Sequence, residues 1–129
     1  LNIKEKTLNW NKEQENSEFN LISDEYFQYG GTSYDIKQAK RILHQKPRST
    51  VNFHVSEGIQ DFLDRIGFTP APSKEIDLND PIICIDTGYK VPTPIDGYHR
   101  IEKALQEGVN SIPAYVLTPE ETKSIQILY

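Results

Sequence analysis

The stretch between residues 94 and 117 constrains the fold more than any other part of the chain. Its pattern predicts a strand, a tight turn, a helix and a second strand in close succession. Gly97 lies where the first strand turns into the helix, and Gly108 is placed to end the helix in a left-handed cap. The apolar residues of the helix fall on one face, which is therefore expected to pack on a core; they are Ile101, Ala104 and Leu105.

Four functional side chains surround Gly97 at the predicted start of this helix: Asp96, Tyr98, His99 and Arg100. Free backbone N–H groups and the helix dipole favour an anion at a helix start, and a glycine lets a ligand come close to the backbone. Arg100 can offer two donors to a phosphate, while His99 can donate a hydrogen bond or move a proton. The pattern therefore predicts a small phosphate site over residues 97–100.

A structural explanation of the same residues stays open at this point. Any strand-to-helix turn can use a glycine and a capping aspartate, and capping is the favoured single role for Asp96. His99 and Arg100 would then be solvated residues of the first turn. Positive side chains there are mildly unfavourable against the helix dipole unless an anion balances them, which favours the ligand site. Asp96 is also suited to orienting His99 or to holding Mg²⁺ through water.

The charge balance argues against nucleic acid as a partner. The chain has a net charge of −5 and 14 Lys and Arg residues among its 129, whereas nucleic-acid binding takes much of its affinity from neutralised phosphates. We interpret the basic cluster between Lys37 and Arg48 as the solvated face of an amphipathic helix.

No membrane span or metal site is expected. The chain has no apolar run near 18 residues, and its three histidines have no spacing that makes a metal set. The lone Cys84 lies in an apolar run, and no signal-peptide pattern is visible. We therefore expect this thiol to pack in a core and the protein to be cytoplasmic.

The rest of the chain predicts a polar arm over residues 1–18 and a single domain over residues 19–129. The expected fold class is α/β (α+β), a small mixed sheet flanked by helices, with an N-terminal β-hairpin. The prolines at 92 and 94 indicate an edge or irregular strand. Local patterns predict a hairpin around Gly30-Gly31, helices over about 36–45 and 57–66, and strands over 50–55, 81–86 and 89–95. A terminal helix is predicted to follow a capping box at Thr118 and Glu121 and to carry Ile125 and Leu128.

The run from Ile95 to Arg100, with the following helix, Gly108 and the strand at Ile112-Pro113, resembles the central motif of the ParB/sulfiredoxin superfamily. The resemblance is strongest over about residues 75–120. It implies a single domain of that fold and a nucleotide ligand such as ATP, ADP or CTP, with or without Mg²⁺. The superfamily includes sulfiredoxins, ParB-type partition proteins and small kinases, so the resemblance does not by itself select one activity.

The resemblance also implies roles for individual residues. Gly97, His99 and Arg100 match the motif that contacts phosphate, and Tyr98 is included with them in the predicted nucleotide site. Sulfiredoxins have their catalytic cysteine at the position of Tyr98, which argues against sulfiredoxin chemistry here. Asp96 and His99 are the predicted catalytic residues.

The expected function is nucleotide-phosphate binding, with phosphoryl transfer to an unidentified small molecule or protein, or nucleotide hydrolysis, as the activity if the protein is an enzyme. One alternative is a non-catalytic protein-interaction module that works through the aromatic hairpin and the polar arm. Another is a ParB-like protein associated with DNA, or a nuclease. The sequence leaves the choice between enzyme and binding module open.

Overall fold

The structure is a computed structural model that describes residues 7–9, 19–21, 26–29, 31–56, 59, 63–64, 76–88 and 91–127. These residues form a five-stranded sheet, a four-stranded sheet and three helices. The strands are β1 (Thr7–Asn9), β2 (Phe19–Leu21), β3 (Tyr26–Tyr29), β4 (Thr32–Asp35), β5 (Val51–His54), β6 (Ile82–Ile85), β7 (Thr93–Asp96), β8 (Ser111–Val116) and β9 (Gln126–Ile127), and the helices are α1 (Ile36–Gln45), α2 (Tyr98–Glu107) and α3 (Pro119–Ser124). This mixed architecture confirms the predicted α/β class.

The five-stranded sheet has the order β1-β5-β8-β6-β7 and contains both parallel and antiparallel pairs. All four residues of β6 are buried, as expected for an inner strand. β7 lies at the edge, and its pairing with β6 shifts register between Ile83 and Cys84. Pro94 within β7 cannot donate to a sheet ladder, so the prediction of an edge or irregular strand is confirmed.

Helix α2 follows β7 directly and matches its prediction closely. Ile101 and Ala104 are buried, and Leu105 packs partly against the core. Gly97 and Gly108 bound the helix with φ of 98° and 70°, both in the left-handed region that glycine adopts without strain. The two glycines differ in their surroundings. A Cβ on Gly97 would lie 2.4 Å from Ile82 Cγ2, whereas a Cβ on Gly108 would meet no atom within 4 Å.

Other local predictions are also confirmed. Strands β3 and β4 form the expected antiparallel hairpin, and Asp35 caps α1 by accepting a hydrogen bond from Gln38 N at 3.1 Å. The Thr118 hydroxyl accepts from Glu121 N, and the Glu121 carboxylate accepts from Thr118 N, which completes the predicted capping box of α3. Cys84 is fully buried in β6, and burial raises the pKa of its thiol.

Several expectations need correction, because long-range pairing adds strands where local polarity favoured loops or helix. The polar arm contains β1, which pairs in parallel with β5. The terminal helix ends at Ser124, and the chain continues into β9, which pairs with β4 in the four-stranded sheet. The strand expected over 89–95 is β7, over residues 93–96.

Parts of some predictions lie outside the described residues. In the helix expected over 57–66, Ile59 and Leu63 are helical and buried, and the remainder is not described. Leu128, which the predicted terminal helix carries, is also not described.

Arg48 connects the segment between α1 and β5 to α3. Its guanidinium donates to both carboxylate oxygens of Glu121, at 2.5 and 2.8 Å, and to Val116 O at 3.2 Å. The two side chains are 17% and 12% exposed. The bidentate hydrogen bonds from Arg48 are the main cause that lowers the pKa of Glu121 from 4.5 to about 2.

Replacement of Glu121 by glutamine is expected to destabilise the fold by about 1–2 kcal/mol at pH 7, because the depressed pKa favours the ionised native state. This contribution is fully present above the ordinary pKa of 4.5 and is lost as the pH falls towards about 2. Urea denaturation at several pH values measures it. Glu120→Gln, at an exposed neighbouring position of α3, is the matched control. Equal pH profiles for both variants would contradict this account.

Alanine substitution at the two ends of α2 separates steric from conformational effects. Gly108→Ala is expected to cost about 1 kcal/mol, from backbone strain alone. Gly97→Ala adds a clash with Ile82 and is expected to cost about 3 kcal/mol or more. Chemical denaturation of both variants tests the difference, and a similar loss for the two would show that the close approach to Ile82 is not important.

Candidate functional site

An open cavity of about 240 Å³ lies beside the start of α2. It is bounded by α1, by residues 80–81, and by parts of β6, β7, α2 and β8. The residues of its wall that matter for charge and shape are Lys40, Leu43, Asp80, Asp96, Arg100 and Tyr115. Two cations and two carboxylates therefore face one cavity, at the place where the sequence predicts a phosphate site.

Arg100 is the most strongly held of these groups. Its Nη1 donates to Pro81 O at 3.2 Å and to Asp80 O at 3.3 Å, and lies 3.1 Å from Asp80 Oδ2. Its Nη2 lies 3.7 Å from Asp96 Oδ2. The side chain is only 16% exposed. Arg100 thus has a structural role as well as a position in the cavity wall.

Asp96 does not cap the helix, contrary to the favoured interpretation of the sequence. The N-cap residue of α2 is Gly97, which has no side chain to accept a hydrogen bond. Asp96 Oδ2 instead lies between two cations, 3.7 Å from Arg100 Nη2 and 3.9 Å from Lys40 Nζ. Both distances exceed that of a good hydrogen bond, so Asp96 Oδ2 is held in these two ion pairs without a close hydrogen bond.

Lys40 lines the cavity, although the sequence does not predict it as a candidate site residue. The sequence predicts a solvated face for the basic cluster from Lys37 to Arg48, and the Lys40 side chain is indeed 59% exposed. However, α1 places its ammonium group over the cavity beside Asp96. The sequence contains no signal for this placement, because Lys40 and Asp96 are far apart along the chain and meet through packing alone.

Tyr98 lies in the core rather than in the cavity. Its side chain is 3% exposed, its hydroxyl donates to Pro94 O, and its ring stacks on Phe27 with centroids 6.1 Å apart. Burial raises the pKa of the Tyr98 hydroxyl well above its ordinary value. The spacing of Tyr98 to Ile101 could have indicated this, since residues three apart share a helix face. Tyr98 therefore fixes the start of α2 on the body of the protein.

The two predicted catalytic residues occupy different positions. Asp96 lines the cavity, but His99 is not among the residues that line it. His99 is partly exposed, and its Nδ1 atom is buried. Of the predicted nucleotide-binding residues, the structure thus places the side chain of Arg100 in the cavity wall and places Gly97 where the backbone turns beside it.

Comparisons with known proteins identify no relative: no family model, no curated protein and no solved structure matches this chain. Within the described residues, no helix is long and apolar enough to cross a membrane, and no group of three or more His, Cys, Asp or Glu side chains is arranged to hold a metal ion.

Proposed function

We propose that the cavity beside α2 binds the phosphate of a nucleotide, as the motif that resembles the ParB/sulfiredoxin superfamily implies. One observation carries the proposal: Lys40 from α1 and Arg100 from α2 converge on one open cavity at the start of a ten-residue helix. Cationic side chains together with a helix start favour a phosphate group.

Gly97 by itself is not an argument for a ligand. Its positive φ and its close approach to Ile82 already require a glycine at this position. The support comes from the side chains around it, because Lys40 is exposed and is only loosely paired with Asp96. An ammonium group in this state can contact a phosphate without first breaking a strong hydrogen bond.

The size of the cavity indicates which part of a nucleotide it would hold. At about 240 Å³ it is smaller than the roughly 300–1,000 Å³ of pockets that enclose drug-sized ligands. It therefore suits a phosphate group with part of a sugar, while the base would lie outside. Such a site would distinguish ligands mainly by their phosphates.

The carboxylates allow a catalytic extension of the proposal. Phosphoryl transfer needs positioning, charge neutralisation and a base near the acceptor hydroxyl. Asp96 faces the cavity and is suited to orienting an acceptor hydroxyl or water. Asp96 is also the carboxylate that a nucleotide-bound Mg²⁺ would contact through water. Phosphotransferase or nucleotide hydrolase activity is the reaction class that this arrangement favours.

Lys40→Ala provides the test of this proposal, since Arg100 also supports the fold. A nucleotide present at about 100 times its dissociation constant adds about 2.7 kcal/mol to stability, which raises the melting temperature by several degrees. We expect such a shift with at least one of ATP, ADP and CTP, measured with and without Mg²⁺. Lys40→Ala is expected to weaken the affinity about 5- to 30-fold.

The matched control is Lys37→Ala, one turn earlier on α1 and outside the cavity wall, which should keep the wild-type affinity. A nucleotide shift that Lys40→Ala leaves intact would contradict the site. No shift with any nucleotide would contradict the proposed function and favour the alternative of a non-catalytic interaction module.

A further inference from the structure

A short segment, residues 76–81, lies against α2 and forms one side of the cavity. Two basic residues one turn apart on the helix hold it by its backbone: Lys103 Nζ donates to Ile76 O at 2.6 Å, and Arg100 Nη1 donates to Pro81 O at 3.2 Å. The segment also has an internal turn, in which Asp77 Oδ1 accepts from Asn79 N at 2.9 Å. Its position therefore does not depend on the side chain of Asp80.

The Asp80 side chain makes a separate contact with the site. Its Oδ2 atom lies 3.1 Å from Arg100 Nη1, closer than the 3.7 Å between Asp96 Oδ2 and Nη2. Asp80 is 69% exposed, whereas Asp96 is 26% exposed. The nearest anion on the guanidinium is thus also the one that can most easily move into solvent.

We propose that Asp80 is an internal competitor of the ligand. Carboxylates and phosphates bind a guanidinium through the same donor groups, so the Asp80 carboxylate occupies a position on Arg100 that a ligand phosphate would use. The proposal rests on the phosphate site proposed above and adds a regulatory contact to it. A phosphate that enters the cavity displaces the carboxylate, and Asp80 rotates outward.

The charges of the cavity give this displacement an energetic consequence. Lys40 and Arg100 balance Asp80 and Asp96, so these four side chains together carry no net formal charge. Outward rotation of Asp80 leaves an excess of one positive charge beside the incoming phosphate. The backbone contacts of Arg100 and Lys103 with residues 76–81 can persist meanwhile, because they involve carbonyl groups and not the carboxylate. Rotation of the Asp80 side chain is therefore sufficient to free Arg100 for a phosphate, without a movement of the backbone of residues 76–81.

Asp80→Asn tests the proposal by removing the competing charge. Inorganic pyrophosphate is the probe, and isothermal titration calorimetry of the full chain measures its dissociation constant. Exposed ion pairs contribute up to about 1 kcal/mol, so we expect Asp80→Asn to bind pyrophosphate about three- to fivefold more tightly than the wild-type protein does. Asp80→Ala should behave alike, since it also lacks the carboxylate.

Asp77→Asn is the matched control, because it removes the same charge from the same segment, and its amide oxygen can still accept from Asn79 N. It should stay within about 1.5-fold of wild type. If Asp77→Asn and Asp80→Asn bind pyrophosphate more tightly by the same factor, the proposal that Asp80 competes with the ligand is wrong, since the change in net charge alone would explain the effect.

If Asp80→Asn binds pyrophosphate as wild type does or more weakly, while Lys40→Ala still reduces binding, the competition by Asp80 is contradicted and the phosphate site is supported. No pyrophosphate binding by wild type or by either Asp80 variant would overturn both.

Discussion

The start of α2 is fixed by the contact between Gly97 and Ile82, where the helix begins against the buried strand β6 with no space for a Cβ atom. This contact brings the first turn of the helix onto the sheet. Tyr98 can then insert beside Phe27 and bond to Pro94 O, and Arg100 can reach residues 80–81. A Cβ atom at position 97 would clash with Ile82, so this close approach is one of the constraints on the geometry of the cavity.

The charged groups around the cavity differ in their hydrogen bonding and in their exposure to solvent. Arg100 donates hydrogen bonds to backbone carbonyls and is mostly buried, while Asp96 is 26% exposed and lies beyond hydrogen-bond distance of both its cationic partners. Lys40 and Asp80 are the exposed members, with 59% and 69% of their side chains accessible. The cavity wall therefore combines one anchored cation with two exposed charged groups, and the proposed phosphate site depends on this combination.

The sequence predicts the parts of this arrangement that depend on local interactions. The helix and its glycine ends at 97 and 108 follow from periodicity and backbone freedom, and the structure has them as expected. Strand β9 and the contribution of Lys40 could not be predicted, because both depend on pairing between distant parts of the chain. The sequence places Tyr98 in the nucleotide site because it lies between Gly97 and His99 at the predicted helix start, although its spacing also fits the buried face.

The most direct test of the phosphate site is a titration of the ¹⁵N-labelled protein with ADP and Mg²⁺, followed by amide chemical shifts in two-dimensional NMR. The account predicts that the largest changes map to Asp80, to residues 96–100 and to the turn of α1 that contains Lys40. Changes centred on the β3–β4 hairpin, or no changes at millimolar ADP, would contradict the claim that the start of α2 binds a nucleotide phosphate.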